Sequence, residues 1–204
     1  MHEFEGTLDG RGLSLAVVVS RFNEQVVSGL LKGALSALSA CGVEDDLISV
    51  VHVPGALELP LAAGRMVDAG HDAVIVLGAV IQGETDHYDF VCAGAMRGCA
   101  QLAEQTGVPV LLGLLTTANL GQALARAADD ERNKGAEVAR GAVAMATLCD
   151  QLDQHIDDHL DQLYDELDDS AGDDQPSDDP SCGDGDDDGA DARRSDVPAT
   201  EPGQ

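Results

Sequence analysis

Residues 73–80 read AVIVLGAV, from Ala73 to Val80. Every position is apolar or glycine, so no side of the run is marked for water. A strand of that kind is covered on both faces, as in a parallel sheet packed between helices. Working outward, Leu13 to Ser20 (LSLAVVVS) and Leu47 to Val53 read the same way, and Pro109 opens a fourth run from Val110 to Leu115. Helical patterns separate them. Asn23 can cap a helix carrying Val26, Val27, Leu30, Leu31, Ala34, Leu35 and Leu38, which Gly42 ends. Leu57 to Ala69 is closed by Gly70, and His87 to Thr106 by Gly107. Asn119 caps a further helix, and a last one begins near Asn133.

Strands followed in turn by helices, with right-handed crossovers, predict a three-layer α/β/α sandwich. Its four-stranded parallel sheet should take the flavodoxin-like order, and His2 to Leu8 can add an N-terminal edge strand. About 150 residues of this kind bury ~68–70% of their extended-chain surface, enough for one core.

Charge sets the outer limits. The 204 residues hold 38 acids and 11 lysines and arginines, a formal net charge of −27. Nucleic acid and anionic membranes are repelled by such a chain and are not expected partners. No apolar run reaches the ~20 residues that span a bilayer. The start does not read as a basic-then-apolar leader, and the sparse cysteines fit the reducing cytoplasm. The five cysteines (Cys41, Cys92, Cys99, Cys149 and Cys182) are odd in number and without CxxC spacing. They read as reduced thiols, mostly core filler, and no metal site is expected.

The charge is uneven. Residues 1–149 carry 18 acids and 9 bases, and residues 150–204 carry 20 acids and 2 bases. Leu152, Ile156, Leu160, Leu163 and Leu167 form one helical stripe. Beyond Asp168 the composition is Asp, Gly, Ser and Pro, too polar to offset the entropy of ordering. The expected organisation is a globular domain over 1–150, an acidic amphipathic helix over 151–169 and a disordered acidic tail over 170–204. His155 and His159 lie at i and i+4 among aspartates, and a solvated polar face accounts for them. Acid excess with only two lysines, Lys32 and Lys134, reads as an adaptation to a salty cytoplasm, where screening relieves self-repulsion.

In this architecture reacting groups lie past the carboxyl ends of the strands, and there the sequence is unusual. Arg21-Phe22-Asn23 follows strand one. Phe22 offers a flat face for a ring, or else a buried staple at the helix start. Pro54-Gly55-Ala56-Leu57-Glu58 follows strand two. Glu58 either complements the helix dipole or accepts from polyol hydroxyls. Gly78-Ala79-Val80-Ile81-Gln82-Gly83-Glu84-Thr85-Asp86-His87-Tyr88 closes strand three. Gly83, free N–H groups and the Thr85 hydroxyl suit an anion, and His87 can either cap the turn or move protons near neutral pH. Arg126 and Lys134 complete the set. A cation at a helix start opposes the dipole, which suggests use, although neighbouring acids could equally explain it. No GxGxxG or Walker pattern indicates nucleotide binding.

RFN, VPGALELP, GAVIQGETDHYDFV, PVLLGLLTT and RNKGAE, in this order and spacing, resemble the 6,7-dimethyl-8-ribityllumazine synthase family over residues 5–150. Each motif alone is weak, and five in order are specific. The resemblance implies condensation of 5-amino-6-(D-ribitylamino)uracil with 3,4-dihydroxy-2-butanone 4-phosphate. The products are the lumazine, phosphate and water, formed without metal or organic cofactor in riboflavin biosynthesis. It also implies roles. Phe22 would stack on the pyrimidine, while Ala56, Leu57 and Glu58 would hold the ribityl chain. Ala79, Val80 and Ile81 would present backbone to the uracil edge. Gly83, Glu84 and Thr85 would seat the phosphate, with Arg126 neutralising it, and His87 would shuttle protons. Leu112 and Lys134 would complete the ring pocket, these and Arg126 coming from a neighbouring subunit. A homo-oligomer is implied, a pentamer or a multiple of it, with riboflavin synthase a candidate partner.

Three positions and one turn depart from the family pattern. Leu57 and Leu112 stand where many members have an aromatic. Glu84 stands where many have alanine; a carboxylate there repels a phosphate unless it points outward, so the sequence leaves its orientation open and keeps only its backbone role. Asp129-Asp130-Glu131-Arg132 lacks the glycines of shell-forming relatives. Two alternatives share the fold: an archaeal-type riboflavin synthase, and a non-catalytic flavin- or lumazine-binding shell protein. The RFN and His87 loops favour the synthase over the first, and His87, Arg126 and Lys134 favour it over the second. A generic flavodoxin-like binding module is the least specific reading.

Overall fold

The computed structural model describes residues 1–171, with side chains as far as Leu163. The expected disorder of 170–204 falls, from residue 172 on, outside the described residues. Two compact units divide the chain, Met1–Gln162 and Leu163–Gln204. In the second unit the described residues are helical.

Four parallel strands form the sheet: β1 (Leu15–Ser20), β2 (Ile48–Val53), β3 (Ala73–Ile81) and β4 (Val110–Thr117), ordered β2-β1-β3-β4. This is the expected order. Register pairs Ser20 with Val53, Val19 with Leu77, and Ala79 with Leu115. The helices are α1 (Glu24–Ala40), α2 (Leu59–Asp68), α3 (His87–Thr106), α4 (Leu120–Arg126) and α5 (Lys134–Ala171). A short 3-10 turn, Ala56–Glu58, precedes α2, so the helix begins two residues later than the sequence suggests.

Alternation along each strand makes two cores from one apolar run. Leu15, Val17 and Val19 of β1, with Ala73, Ile75 and Leu77 of β3, pack against α1, α4 and α5. Ala16, Val18, Val74 and Val76 point the other way, onto Leu59 and Ala63 of α2 and Ala95 and Cys99 of α3. Sheet faces and helix stripes therefore bury each other in three layers. Cys92 and Cys99 belong to this interior, and burial pushes the Cys99 thiol up to about 11, so it stays protonated and inert.

Close crossings fix where the helices sit. A Cβ on Gly135 of α5 would lie 2.0 Å from the Leu30 carbonyl oxygen of α1, so only glycine permits this approach. Asn133, just before α5, is 3% exposed. Its amide donates to the carbonyls of Gly29 (3.1 Å) and Ala128 (2.9 Å), and its Oδ1 accepts from Ala136 N–H at 3.1 Å. One side chain thus ties α1, the preceding turn and the start of α5 together.

The edge strand proposed for His2 to Leu8 does not form. The segment runs instead beside α5. Thr7 N–H donates to Thr147 Oγ1 (2.8 Å), Gln151 Nε2 donates to the Glu5 carbonyl (3.0 Å), and the Phe4 ring lies 5.0 Å from that of His155. The physical reason is that its backbone finds partners in α5 side chains, with Gly6 flush against Ala144, where a Cβ would not fit. His155 is therefore a packing residue as well as a polar one. Among the described residues no group of three or more His, Cys, Asp and Glu is placed to hold a metal, and no helix is long and apolar enough to cross a membrane.

Candidate active site

The loop after β1 is built on Asn23, the only non-glycine residue with positive φ among those described (φ 60°, ψ 43°). Asparagine tolerates this left-handed conformation better than most residues. Its side chain does not cap α1, contrary to the sequence reading. Nδ2 donates instead to the Ala79 carbonyl at 2.8 Å, tying the loop to the end of β3. On the other side Arg21 N–H donates to the Val53 carbonyl of β2 at 2.8 Å. Phe22 sits between these two anchors and is 70% exposed. The buried-staple alternative is excluded, and the ring is presented to solvent.

Phe22 opens onto a cavity of about 340 Å³ at the carboxyl ends of β1, β2 and β3. From the second loop come Gly55, Ala56, Leu57 and Glu58. From β3 and its loop come Ala79, Val80, Ile81, Gly83 and Thr85, and α3 adds His87 at its first residue. Ten of the fourteen residues singled out from sequence meet here. Glu84 does not line the cavity, although both its neighbours do, and its side chain is exposed. Asp86 makes no side-chain cap on α3, so His87 is not held as part of a capped turn.

Tyr88, which the sequence reading placed in this loop without a role, and Val91, which it missed, also line this cavity. Val91 follows His87 at four residues on α3, and that helical spacing is the signal that could have found it; Tyr88 is marked only by its place at the end of the third loop.

Leu112, Arg126 and Lys134 lie elsewhere. They line a second cavity of about 350 Å³ between the β4 edge, α4 and the start of α5. The two cavities share no lining residue. Arg126 Nη1 donates to the Gln122 carbonyl at 2.9 Å, and the guanidinium makes no ion pair among the described residues. Gln122 is fixed in turn: its N–H donates to Asn119 Oδ1 at 3.0 Å, the expected cap of α4. Lys134 Nζ pairs with Glu137 Oε2 at 2.5 Å, which offsets the cost of a cation at the start of α5. Gln122 and Glu137 were not singled out from sequence. Glu137 stands three residues after Lys134 on the same helix face, again a readable spacing.

Chemically, the first cavity offers an exposed aromatic face, a carboxylate, an imidazole and free backbone groups near a glycine. The second offers two cations. An α/β sandwich with these groups past its strand ends is the site of an enzyme acting on small molecules. Residues 12–150 match the model of the 6,7-dimethyl-8-ribityllumazine synthase family. Over 150 residues the chain is 50% identical to the 6,7-dimethyl-8-ribityllumazine synthase of Salinibacter ruber (strain DSM 13855 / M31), covering 73% of this chain and 96% of that one. The chain belongs to the 6,7-dimethyl-8-ribityllumazine synthase family.

Proposed function

We infer that this chain condenses 5-amino-6-(D-ribitylamino)uracil with 3,4-dihydroxy-2-butanone 4-phosphate, releasing 6,7-dimethyl-8-ribityllumazine, phosphate and water in riboflavin biosynthesis. The observation that carries the reading is the convergence of Phe22, Glu58, Thr85 and His87 on one cavity, within the stretch that matches the family. In this reading Phe22 stacks on the pyrimidine, and Glu58 accepts from ribityl hydroxyls beside Ala56 and Leu57. Backbone groups of Val80 and Ile81 meet the uracil edge. The Ala79 carbonyl already accepts from Asn23, so at that residue the N–H and the second carbonyl lone pair are what a substrate could use. Gly83 and Thr85 seat the phosphate, and Glu84 contributes backbone only, since its side chain stands outside the cavity.

The chemistry runs in three stages. The pyrimidine amine attacks the ketone and loses water to form an imine. His87 relays protons while phosphate leaves and the enol tautomerises. The second amine then adds to the carbonyl that tautomerisation leaves, and a second water departs as the ring closes. Positioning of two reactants in one cavity can supply up to ~7–11 kcal/mol, more than one proton shuttle adds. No step in this sequence needs a metal or an organic cofactor.

A homo-oligomer completes the site. Arg126, Lys134 and Leu112 share no cavity with His87 in one chain, so their proposed roles require the second cavity of one copy to face the first cavity of another. A pentamer, or a multiple of it, is the assembly proposed. Residues 1–150 are the proposed catalytic domain, followed by the acidic helix and tail. The acid excess and the two lysines support a cytoplasmic, salt-adapted protein. Riboflavin synthase, which consumes the product, is the proposed partner.

The deciding experiment supplies both substrates and reads phosphate release together with lumazine absorbance. Release of phosphate only when the pyrimidine is present supports the condensation. Riboflavin formed from lumazine alone would point to the archaeal-type riboflavin synthase, and ligand binding without phosphate release to a shell protein.

A further inference from the structure

Beyond residue 150 the match to the family model ends, but α5 continues. From Asp150 to Gln162 it carries five aspartates and no lysine or arginine. Leu152, Ile156 and Leu160 recur every four residues on one side and are 37%, 54% and 45% exposed. Leaving three large aliphatic side chains in water on a helix otherwise rich in aspartate has no rationale within the catalytic cavities, which none of them lines.

Their two flanks differ. One residue later at each step stand Asp153, Asp157 and Asp161, a row of carboxylates parallel to the apolar row. One residue earlier stand Gln151 and His155, both occupied by the N-terminal segment. Gln151 Nε2 donates to the Glu5 carbonyl at 3.0 Å, and the His155 ring lies 5.0 Å from Phe4 and 4.9 Å from His2. The apolar row is thus bordered by a polypeptide segment on one side and by three negative charges on the other.

We propose that this face of α5, Leu152-Ile156-Leu160 with Asp153-Asp157-Asp161, is a docking surface for an amphipathic basic helix of another polypeptide. The sign of the charge selects the partner. Apolar side chains on that helix would cover the leucine and isoleucine row, while lysines or arginines on its flank would pair with the aspartates. A second copy of the same helix is the weaker occupant, because it would bring five carboxylates and no base against five more. The interaction should weaken with salt, as exposed charge pairs do, while its apolar part persists.

The test uses the full-length protein and three labelled synthetic helices, read by fluorescence anisotropy in dilute buffer. One peptide combines a leucine row with flanking lysines, one a leucine row with flanking glutamates, and one has lysines and serines without leucine. The leucine–lysine peptide should bind and the other two should not. The double variant Ile156→Ser, Leu160→Ser and the triple variant Asp153→Asn, Asp157→Asn, Asp161→Asn should each weaken binding at least about tenfold. Circular dichroism should show unchanged helix content, since these side chains are exposed. Unchanged affinity in the serine variant, binding of the lysine–serine peptide at equal strength, or no binding at all would overturn the proposal. So would light scattering that shows the serine variant losing association between copies, because the occupant would then be a second chain of its own kind.

Discussion

Asn23 holds the Ala79 carbonyl through a 2.8 Å hydrogen bond while its own backbone is left-handed. Two strand ends, β1 and β3, are joined by that one side chain just after Phe22, at the cavity Phe22 opens on. Asn23→Ala loses both the hydrogen bond and a residue that tolerates this conformation, and should cost about 1.5–3 kcal/mol. Asn23→Gly keeps the backbone freedom and should cost roughly 1 kcal/mol. Denaturant unfolding of the two variants checks the difference. Equal losses would show that the left-handed backbone contributes nothing.

Phe22 is exposed, so its removal should barely touch stability. Phe22→Ala is expected within about 0.5 kcal/mol of the parent by denaturation, with a KM for the pyrimidine substrate raised several-fold. A large loss of stability with unchanged KM would make Phe22 a packing residue.

His87 and Arg126 should separate proton transfer from charge. His87→Ala should lower kcat by about 10²–10⁴-fold and leave measurable turnover, because positioning survives. Arg126→Ala should be the worse of the two, and should raise the KM of the phosphate-bearing substrate at least about tenfold. Complete loss of turnover in His87→Ala, with fold and binding intact, contradicts the first expectation. Unchanged KM in Arg126→Ala removes the second.

Asn133 is buried one residue before Lys134, at the start of α5. Asn133→Ala removes two donated bonds and one accepted bond, and strands the carbonyls of Gly29 and Ala128. A loss of about 2–4 kcal/mol is expected in denaturant unfolding. Asn133→Asp keeps the acceptor for Ala136 N–H and should recover part of it at most, since a carboxylate facing two carbonyls is repelled.

Asp150 gives a pH dependence of defined sign. Partial loss of solvent, then the carboxylates of Asp72 and Asp153, push it above the usual carboxylate range. A raised acid is a group whose ionisation opposes folding, so its penalty is absent below about pH 4 and grows as pH rises through the folded-state value. Asp150→Asn should therefore raise the unfolding free energy at neutral pH by a fraction of a kcal/mol, the group being largely exposed and screened. The gain should vanish in acid. A gain that persists at low pH would assign it to packing.

Much of the site was legible because strands buried on both faces leave their unusual residues only at their ends. Phe22, Glu58, Thr85 and His87 were found that way, and the cavity gathers them. Val91 and Glu137 carried only a helical spacing from a residue already chosen, and Tyr88 only its place at the end of the third loop. Asn133 could be read only as a helix start, because its partners on α1 lie 104 positions away in sequence.

What the sequence determined by itself is the alternation of strands and helices and the identity of the loops that meet past the strand ends. Periodicity and helix stops are local, set by which side chains can be buried and where a glycine such as Gly107 can turn (φ 73°). Three things were decided only by tertiary structure. Asn23 ties two strands instead of capping a helix, and the N-terminal segment lies on α5 instead of extending the sheet. Arg126 and Lys134 occupy a cavity separate from that of His87. Each depends on partners far along the chain, and a choice between such partners is settled by which backbone and side-chain groups can be satisfied together.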